Sequence, residues 1–321
     1  MAIEHYPLGV NFGLKYITAA YFTASGEPIA AVKLEGSEEY QRHIQALVTD
    51  SRKREMRFGE IYIREGSELH PAPTEYLAYP EKDREIFSQI LRQVTDTATR
   101  SLGHGRSVEI TVASVPSGLD RIASEHLHHS IIRTDASSLQ HGWQKLQFLD
   151  AARLAYDLDT CEAFGQSPSC NLETGGPYTI LYVDQTPGYL DLWAADVGEF
   201  SVAEFEHNRI QHSEAADAMA ITTAVKKFIS EQLAQYETDI RAVILSGEAP
   251  PADLKSTRQA IQEALPDQLQ HLLRDQIDPV FTGAIGAAHR ARKHVHDPEL
   301  LNIKSDHEHF RHFPDLDHDE L

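Results

Sequence analysis

Apolar and polar residues alternate through the first 36 residues in a way that predicts three short β-strands. The segments are PLGVNFG, YITAAYF and PIAAVKLEG, and the turn signal Ser25-Gly26-Glu27 separates the second from the third. The same pattern returns after residue 177, in YTILYVDQ, LDLWAADVG and EFSVAEFEH. A three-strand meander therefore occurs twice, which we interpret as an internal repeat of architecture and not of residues.

Helical periodicity predicts most of the remaining elements. Residues 81–102 form the clearest amphipathic helix, because Ile86, Ile90, Val94 and Ala98 fall on one stripe. Two more strands are predicted, in VEITVASVP (108–116) and DIRAVILSG (239–247). The polar stretch 37–55 favours a helix, FGEIYIREGSEL (58–69) a hairpin, and the Gly- and Pro-rich stretch 164–177 a linker. Further helices are predicted over 118–130, 137–157, 213–236 and 252–265, and in the last segment, VFTGAIGAAHRARK.

Length and composition describe a folded chain with two domains or one bilobed unit. The 321 residues are 41% hydrophobic and 24% charged, and their apolar runs are far shorter than the roughly 18 residues of a membrane span. The net charge of −20 argues against a general nucleic-acid binder and against an anionic membrane surface, so neither partner is expected. Residues 294–321 carry eight acids, two bases and six histidines, and we predict a flexible tail.

The two cysteines and the two chain ends give conflicting indications of compartment. Cys161 and Cys170 lie in one segment, either as two thiols near a loop or as a disulfide in an oxidising compartment. The amino terminus shows no signal-peptide pattern, which favours a cytoplasmic protein. The last four residues, His318-Asp319-Glu320-Leu321, spell a retrieval signal of the endoplasmic reticulum, so the lumen is the alternative.

Six segments, in order along residues 8–291, resemble the bilobed ATPase fold of actin, sugar kinases and the seventy-kilodalton heat-shock chaperones. The likeness is greatest to the chaperone nucleotide-binding domain, whose phosphate loops, connecting segments and closing helix are matched, in order, by LGVNFGLKYITAAYF, VEITVASVPSGLDRIASEHL, LDAARLAYDLD, LYVDQTPGYLDLWAADV, RAVILSGEAPPADL and DPVFTGAIGAAHRA. The resemblance implies an α/β fold of two ribonuclease H-like domains, trimmed in length. It places lobe I in residues 1–175, lobe II in 176–293 and the tail in 294–321.

The same resemblance implies a candidate nucleotide site. ATP or ADP would lie against backbone N–H groups of two glycine-bearing hairpins, with magnesium held by carboxylates. The positions that match the family's phosphate and adenosine segments are Gly9, Asn11, Gly13, Lys15, Asp184, Gly188 and Gly247. Asp184 and Asp191 are the expected magnesium ligands if a nucleotide binds.

Several residues that carry the chemistry in the family are replaced. Asn11 stands at the position of an aspartate, and Phe148 at that of the glutamate near the attacking water. Pro187 removes an N–H donor from the second phosphate loop and Tyr189 adds bulk there. Glu248 brings a carboxylate to the adenosine segment. We therefore expect a pseudo-ATPase that binds another protein and has weak or no nucleotide binding, without catalytic residues.

Two alternatives remain open at the level of sequence. The first is an active small ATPase or kinase of the same fold. The second is a lumenal cochaperone, which rests on the last four residues and on the cysteine pair. The cluster His126-Leu127-His128-His129 lacks the His-Glu-X-X-His spacing of a helical zinc site, so we interpret it as a solvated helix face.

Overall fold

The first half of the chain forms a five-stranded mixed sheet with the order β3-β2-β1-β4-β5. The computed structural model describes residues 4–65, 81–102, 106–134, 139, 141–172, 176–198, 202–211 and 217–294. Strands β1, β2 and β3 form the predicted antiparallel meander, and β4 and β5 then add in parallel to β1. The strands are β1 Glu4–Phe12, β2 Tyr16–Phe22, β3 Pro28–Glu35, β4 Arg106–Ser114 and β5 Lys145–Leu146.

The second half forms a sheet of the same topology, with the order β10-β9-β6-β7-β8. Its first three strands again form an antiparallel meander, and the last two run parallel to the first of them. The predicted α/β class and the predicted repeat of the meander are confirmed. The strands are β6 Thr179–Gln185, β7 Tyr189–Val197, β8 Val202–Gln211, β9 Ile240–Gly247 and β10 Leu273–Arg274.

Helices follow the strands in equivalent places of the two halves. One helix comes after β4 and one after β9, and a closing helix follows β5 and β10 in turn. None of the helices in the described residues is long and apolar enough to cross a membrane. The helices are α1 Glu38–Glu65, α2 Glu81–Leu102, α3 Arg121–Ile132, α4 Phe148–Ala155, α5 Ala218–Lys227, α6 Pro251–Ala264 and α7 Thr282–His294.

Three predicted elements are wrong in part. Residues 58–65 continue α1 and form no hairpin, because extending an existing helix adds one hydrogen bond per residue and outweighs a short alternating run; residues 66–69 lie outside the described part. The helix predicted over 137–157 is reduced to α4, since Lys145 and Leu146 pair with the end of β4. The helix predicted over 213–236 is α5 followed by a π-helical turn, Phe228–Gln232.

The closing helices are exchanged between the halves. Helix α4 comes from the first half but packs into the core of the second sheet, where Phe148 and Leu149 lie with Tyr182 and Trp193. Helix α7 comes from the second half and packs on strands β1, β2 and β4 of the first sheet. Each sheet is therefore covered by a helix from the other half, which joins the two halves through their cores.

Cys161 and Cys170 are joined by a disulfide, with their Cα atoms 5.9 Å apart. The interpretation of two separate thiols is thus replaced by the alternative of a bridged loop. Cys161 packs beside Phe164, Leu172 and Tyr178 at the edge of the second core. The bridge closes the predicted linker segment immediately before β6.

Candidate functional site: the cleft between the two sheets

Two tight turns face each other across the cleft, one from each sheet. In the first hairpin, which joins β1 to β2, the N–H of Gly13 donates to the carbonyl of Tyr16 at 3.0 Å. In the second hairpin, which joins β6 to β7, the N–H of Thr186 donates to the carbonyl of Tyr189 at 2.9 Å. The register makes these turns equivalent, so the cleft is built from the same element used twice.

The repeat extends to the residues at the strand ends. Asn11 is paired with Thr18 across the first meander, as Asp184 is paired with Asp191 across the second. In the first half the hydroxyl of Ser114 donates to Asn11 Oδ1 at 2.7 Å. In the second half the hydroxyl of Ser246 donates to Asp184 Oδ1 at 2.9 Å. These matched serine contacts correct our interpretation that the repeat involves architecture alone.

Glu248 of the second half caps the first hairpin. Its carboxylate accepts the backbone N–H of Lys15 at 2.7 Å and that of Tyr16 at 3.3 Å. Gly13 makes this possible, because a Cβ at that position would overlap the Glu248 carboxylate. Burial raises the pKa of the Glu248 carboxyl to about 7, although the backbone N–H groups act to lower it. A carboxylate thus occupies the N–H groups that a phosphate would need.

Gly247 sets the direction of the chain before Glu248. Its φ of +127° lies in a region that L side chains rarely adopt. The turn there lets the N–H groups of Glu248 and Ala249 donate to the carbonyl of Gln185, at 2.8 and 3.0 Å. A Cβ at Gly247 would also overlap the backbone of Gln185. This glycine is therefore required for the position of Glu248.

Asp184 links the two halves at the bottom of the cleft. Its carboxylate accepts the hydroxyl of Ser117, from the first half, at 2.6 Å and that of Ser246 at 2.9 Å. The side chain is buried, and burial raises the pKa of its carboxyl to about 6, with the two serine hydrogen bonds opposing this shift. Both carboxylate oxygens are thus engaged by hydroxyl groups.

Asp191 is held by a cation from the neighbouring strand. Arg209 lies opposite it in the register and donates from Nε and Nη2 to its two carboxylate oxygens, at 2.6 and 2.7 Å. His207 Nε2 lies 3.2 Å from the same carboxylate. The guanidinium also lies 4.1 Å from the centroid of the Tyr189 ring. A bidentate arginine therefore takes the place of the magnesium that the family resemblance implies for Asp191.

The space between the hairpins is too small for a nucleotide. The cavity there has a volume of about 30 Å³, which is roughly the share of one water molecule in the liquid. Phe148 lines it, whereas Asp150 lines only a neighbouring cavity, which Phe148 also borders. Together with the capped hairpin and the paired Asp191, this volume means that Mg-ATP does not fit the residues present. The residues that meet at this cavity include Asn11, Gly13, Asp184, Gly247, Glu248 and Gly283.

A larger opening, which we call the basic cleft, lies beside the two hairpins. It has a volume of about 480 Å³, and the described residues that line it include four basic side chains and no carboxylate. Arg42 and Arg52 project from α1, and neither forms an ion pair within the described residues. The side-chain oxygen of Gln211, with its amide in the orientation that satisfies its neighbours, accepts from Arg52 at 3.0 and 3.1 Å. The four basic residues are Lys15, Arg42, Arg52 and Arg209.

The predicted site residues divide into three groups. Asn11, Gly13, Asp184 and Gly247 meet at the small cavity. Lys15 and Gly188 line the basic cleft instead, and the Lys15 ammonium lies 3.5 Å from Glu35. Gly9 and Asp191 line neither cavity.

Gly9 has a packing role. A Cβ at this position would overlap the backbone of α7 at Ala287 and Ala288. Its small size therefore allows the exchanged helix to approach β1 closely.

Two residues of the site, Arg209 and Ser117, were not predicted from the sequence. Arg209 lies beyond the predicted end of the eighth strand, which extends to Gln211. Extending the strand by four residues would have included it, but its place opposite Asp191 also depends on a register shift between Ala194 and Ala195. Ser117 follows β4 in a turn, where nothing in the local pattern indicates a contact with Asp184.

No model of a known protein family matches the chain, and no curated protein matches it at a significant level.

Proposed function

We propose that the chain has the bilobed actin-like ATPase fold, with lobe I in residues 1–175 and lobe II in 176–293, and acts as a protein-binding pseudo-ATPase. The support for the fold is the identical strand order of the two sheets and the exchange of the closing helices. In this proposal the scaffold is retained while phosphoryl transfer is lost, since a fold does not dictate its function.

The observation that carries the proposal is the Glu248 carboxylate on the first hairpin. The N–H groups of Lys15 and Tyr16 already have a carboxyl acceptor from the same chain. A nucleotide phosphate would have to displace this carboxylate, and the guanidinium of Arg209 would have to leave Asp191 before a magnesium ion could bind there. Both displacements would cost free energy before a nucleotide and its magnesium ion could bind.

Titration of the full-length protein with Mg-ATP tests this proposal. We expect no saturable heat up to millimolar nucleotide and no release of phosphate in the same sample. Saturable binding at micromolar concentration, with turnover that Asp184→Asn abolishes, would instead establish the alternative of an active ATPase or kinase.

We assign the partner-binding surface to the basic cleft. In a chain of net charge −20, the part of the chain that the structure describes lines this opening with four basic groups and no acidic one. Arg42 and Arg52 are exposed, so their side chains can donate to carboxylates of an incoming protein. The partner we propose is a protein that presents an acidic segment.

A labelled decaglutamate peptide is a direct probe of this surface. We expect Arg42→Glu combined with Arg52→Glu to weaken its binding by about tenfold or more. The matched control is Arg92→Glu combined with Arg100→Glu on α2, which makes the same change in net charge at exposed positions. Equal weakening by both pairs would show a general charge effect and remove the cleft from the proposal.

The disulfide supports a second candidate, the same scaffold acting as a cochaperone in an oxidising lumen. Disulfides persist in such compartments and are rare in the reducing cytoplasm. Thiol counting by mass spectrometry on alkylated, non-reduced protein from its native cells tests this candidate. Two alkylated cysteines would contradict it and leave the cytoplasmic proposal in place.

A further inference from the structure

Three helices of the first half bring two imidazoles and a carboxylate together, away from both cavities of the cleft. His43 comes from α1, Asp83 from α2 and His126 from α3. His43 Nδ1 lies 3.4 Å from Asp83 Oδ1, and His126 Nε2 lies 3.1 Å from Asp83 Oδ2. The three side chains are 18%, 7% and 18% exposed. The interpretation of His126 as part of a solvated helix face is therefore wrong.

The spacing of the donor atoms matches what a small divalent ion requires. One donor atom from each side chain lies within 4.8 Å of the other two. Ligand atoms bound at about 2.0–2.2 Å in a tetrahedron are separated by about 3.3–3.6 Å. The two contacts to Asp83, which reach different oxygens of its carboxylate, are close to this separation.

The surroundings hold the cluster in position. The ring of His43 packs edge-on against Phe87, with the ring centroids 5.9 Å apart, and Phe87 itself is fully buried. His43 Nε2 is buried without a hydrogen-bond partner in the described structure. A neutral imidazole that binds an ion through Nδ1 keeps its proton on Nε2, so this buried Nε2–H would stay without a protein partner in the described structure. The donor set is then two neutral nitrogens and one carboxylate.

We propose that His43, Asp83 and His126 bind a divalent transition-metal ion of the zinc type. Two imidazoles and a carboxylate suit zinc, and with three protein ligands the fourth position is left to water. The ion would connect α1, α2 and α3, which meet here through one hydrogen bond between His126 and Asp83 and one 3.4 Å contact between His43 and Asp83. This proposal is independent of the proposed function, since the cluster shares no residue with the cleft.

Metal titration of the full-length protein tests the site, with the tail histidines as the competing explanation. We expect one equivalent of Zn²⁺ to bind at micromolar concentration or tighter, and Co²⁺ to show the absorption bands of a tetrahedral ion. Asp83→Asn should weaken Zn²⁺ binding by more than about tenfold. The matched control, His307→Gln with His309→Gln and His312→Gln, removes three tail histidines and should retain the tight equivalent.

His126→Gln serves as a second variant where loss of Asp83 disturbs folding, which circular dichroism will show. It should lose the tetrahedral Co²⁺ bands while the protein remains folded. Retention of the tight equivalent in this variant, or its loss in the tail variant alone, would overturn the proposal. Absence of any tight equivalent in the parent protein would also overturn it and leave Asp83 as a hydrogen-bonded bridge between two histidines.

Discussion

The two hairpins occupy the same place in their sheets, but their backbone N–H groups are satisfied in different ways. In the second hairpin Thr186 Oγ1 accepts the N–H groups of Gly188 and Tyr189, at 3.3 and 3.1 Å, so the turn is complete in itself. In the first hairpin the acceptor is Glu248, which comes from the other half of the chain. One turn is therefore a local structure, whereas the other depends on how the halves are assembled.

The acid positions beside the hairpins show the same asymmetry. Asn11 and Thr18 in the first half are neutral, and Asp184 and Asp191 at the equivalent positions in the second half are carboxyl groups. All four side chains are buried. The two buried carboxyl groups of this comparison, Asp184 and Asp191, therefore both lie in the second half. There Arg209 and three hydroxyl or imidazole groups stabilise them through hydrogen bonds.

The largest expected effect comes from removing the charge of Asp191. Asp191→Asn leaves the mostly buried Arg209 without its counter-ion, so we expect the free energy of unfolding to fall by about 3–5 kcal/mol. Thr18→Val at the equivalent position removes one neutral hydrogen bond, to the carbonyl of Val280 at 3.3 Å, and should cost about 1 kcal/mol. Urea denaturation of both variants measures the difference. Equal losses in the free energy of unfolding would show that the two positions contribute equally to stability.

The pH dependence of stability isolates the Glu248 cap. Its pKa of about 7 in the folded protein exceeds the ordinary value of 4.5, so the folded state holds this proton more tightly. The resulting stabilisation is full below pH 4.5 and is lost as the pH rises through about 7.

Glu248→Gln should therefore change the pH profile and not merely the stability at one pH. Parent stability relative to the variant should fall between pH 4.5 and 7, on the order of 3 kcal/mol. Asp184, with a pKa of about 6, acts in the same direction and remains in both proteins. Glu263→Gln, on the exposed face of α6, is the matched control. Parallel profiles for parent and Glu248→Gln would contradict a raised pKa at this position.

Gly13→Ala should disturb the contact between the first hairpin and Glu248. The added Cβ would overlap the Glu248 carboxylate, which must then move off the N–H groups of Lys15 and Tyr16. We expect a loss of about 1–3 kcal/mol in the free energy of unfolding, as for other overpacking substitutions. Combining Gly13→Ala with Glu248→Gln should cost less than the sum of the two. Strict additivity in this cycle would mean that the two residues do not interact.

Gly188→Ala is the counterpart in the second hairpin and should have the smallest effect. Apart from its immediate chain neighbours, no atom of the described residues lies within 4 Å of the position of its Cβ. We expect a change within about 0.5 kcal/mol of the parent, because the substitution meets open space. Thermal unfolding of the two alanine variants side by side measures the contrast. A loss at Gly188 as large as that at Gly13 would show that the second turn is not self-contained.

The elements of this fold were largely predictable because their signals are local. Ile86, Ile90 and Val94 mark the buried stripe of α2, and both meanders follow from alternation within a few residues. Strands β5 and β10, with two residues each, were not predicted, because they are defined by pairing with β4 and β9 and not by a pattern of their own.

The candidate site was predictable to the extent that it lies at strand ends. Asn11 and Asp184 lie one residue before the ends of the first strands of two equivalent sheets, and both line the small cavity, as the family resemblance implied. The packing role of Gly9 was not predicted, because a glycine for phosphate contact and a glycine for helix packing are identical in sequence. Arg209 was missed because the strand that carries it was predicted to end too early.

Local patterning along the chain establishes the α/β class and the repeated meander, and the family resemblance indicated which glycines and carboxylates to place at the cleft. Long-range contacts establish the rest: the exchange of α4 and α7, the pairing of Asp191 with Arg209 and the cap of Glu248 on a hairpin 233 residues away. The physical reason is one of range. Periodicity reports burial within a few residues, whereas a carboxylate's partner and pKa depend on groups that only the folded chain brings within hydrogen-bonding distance.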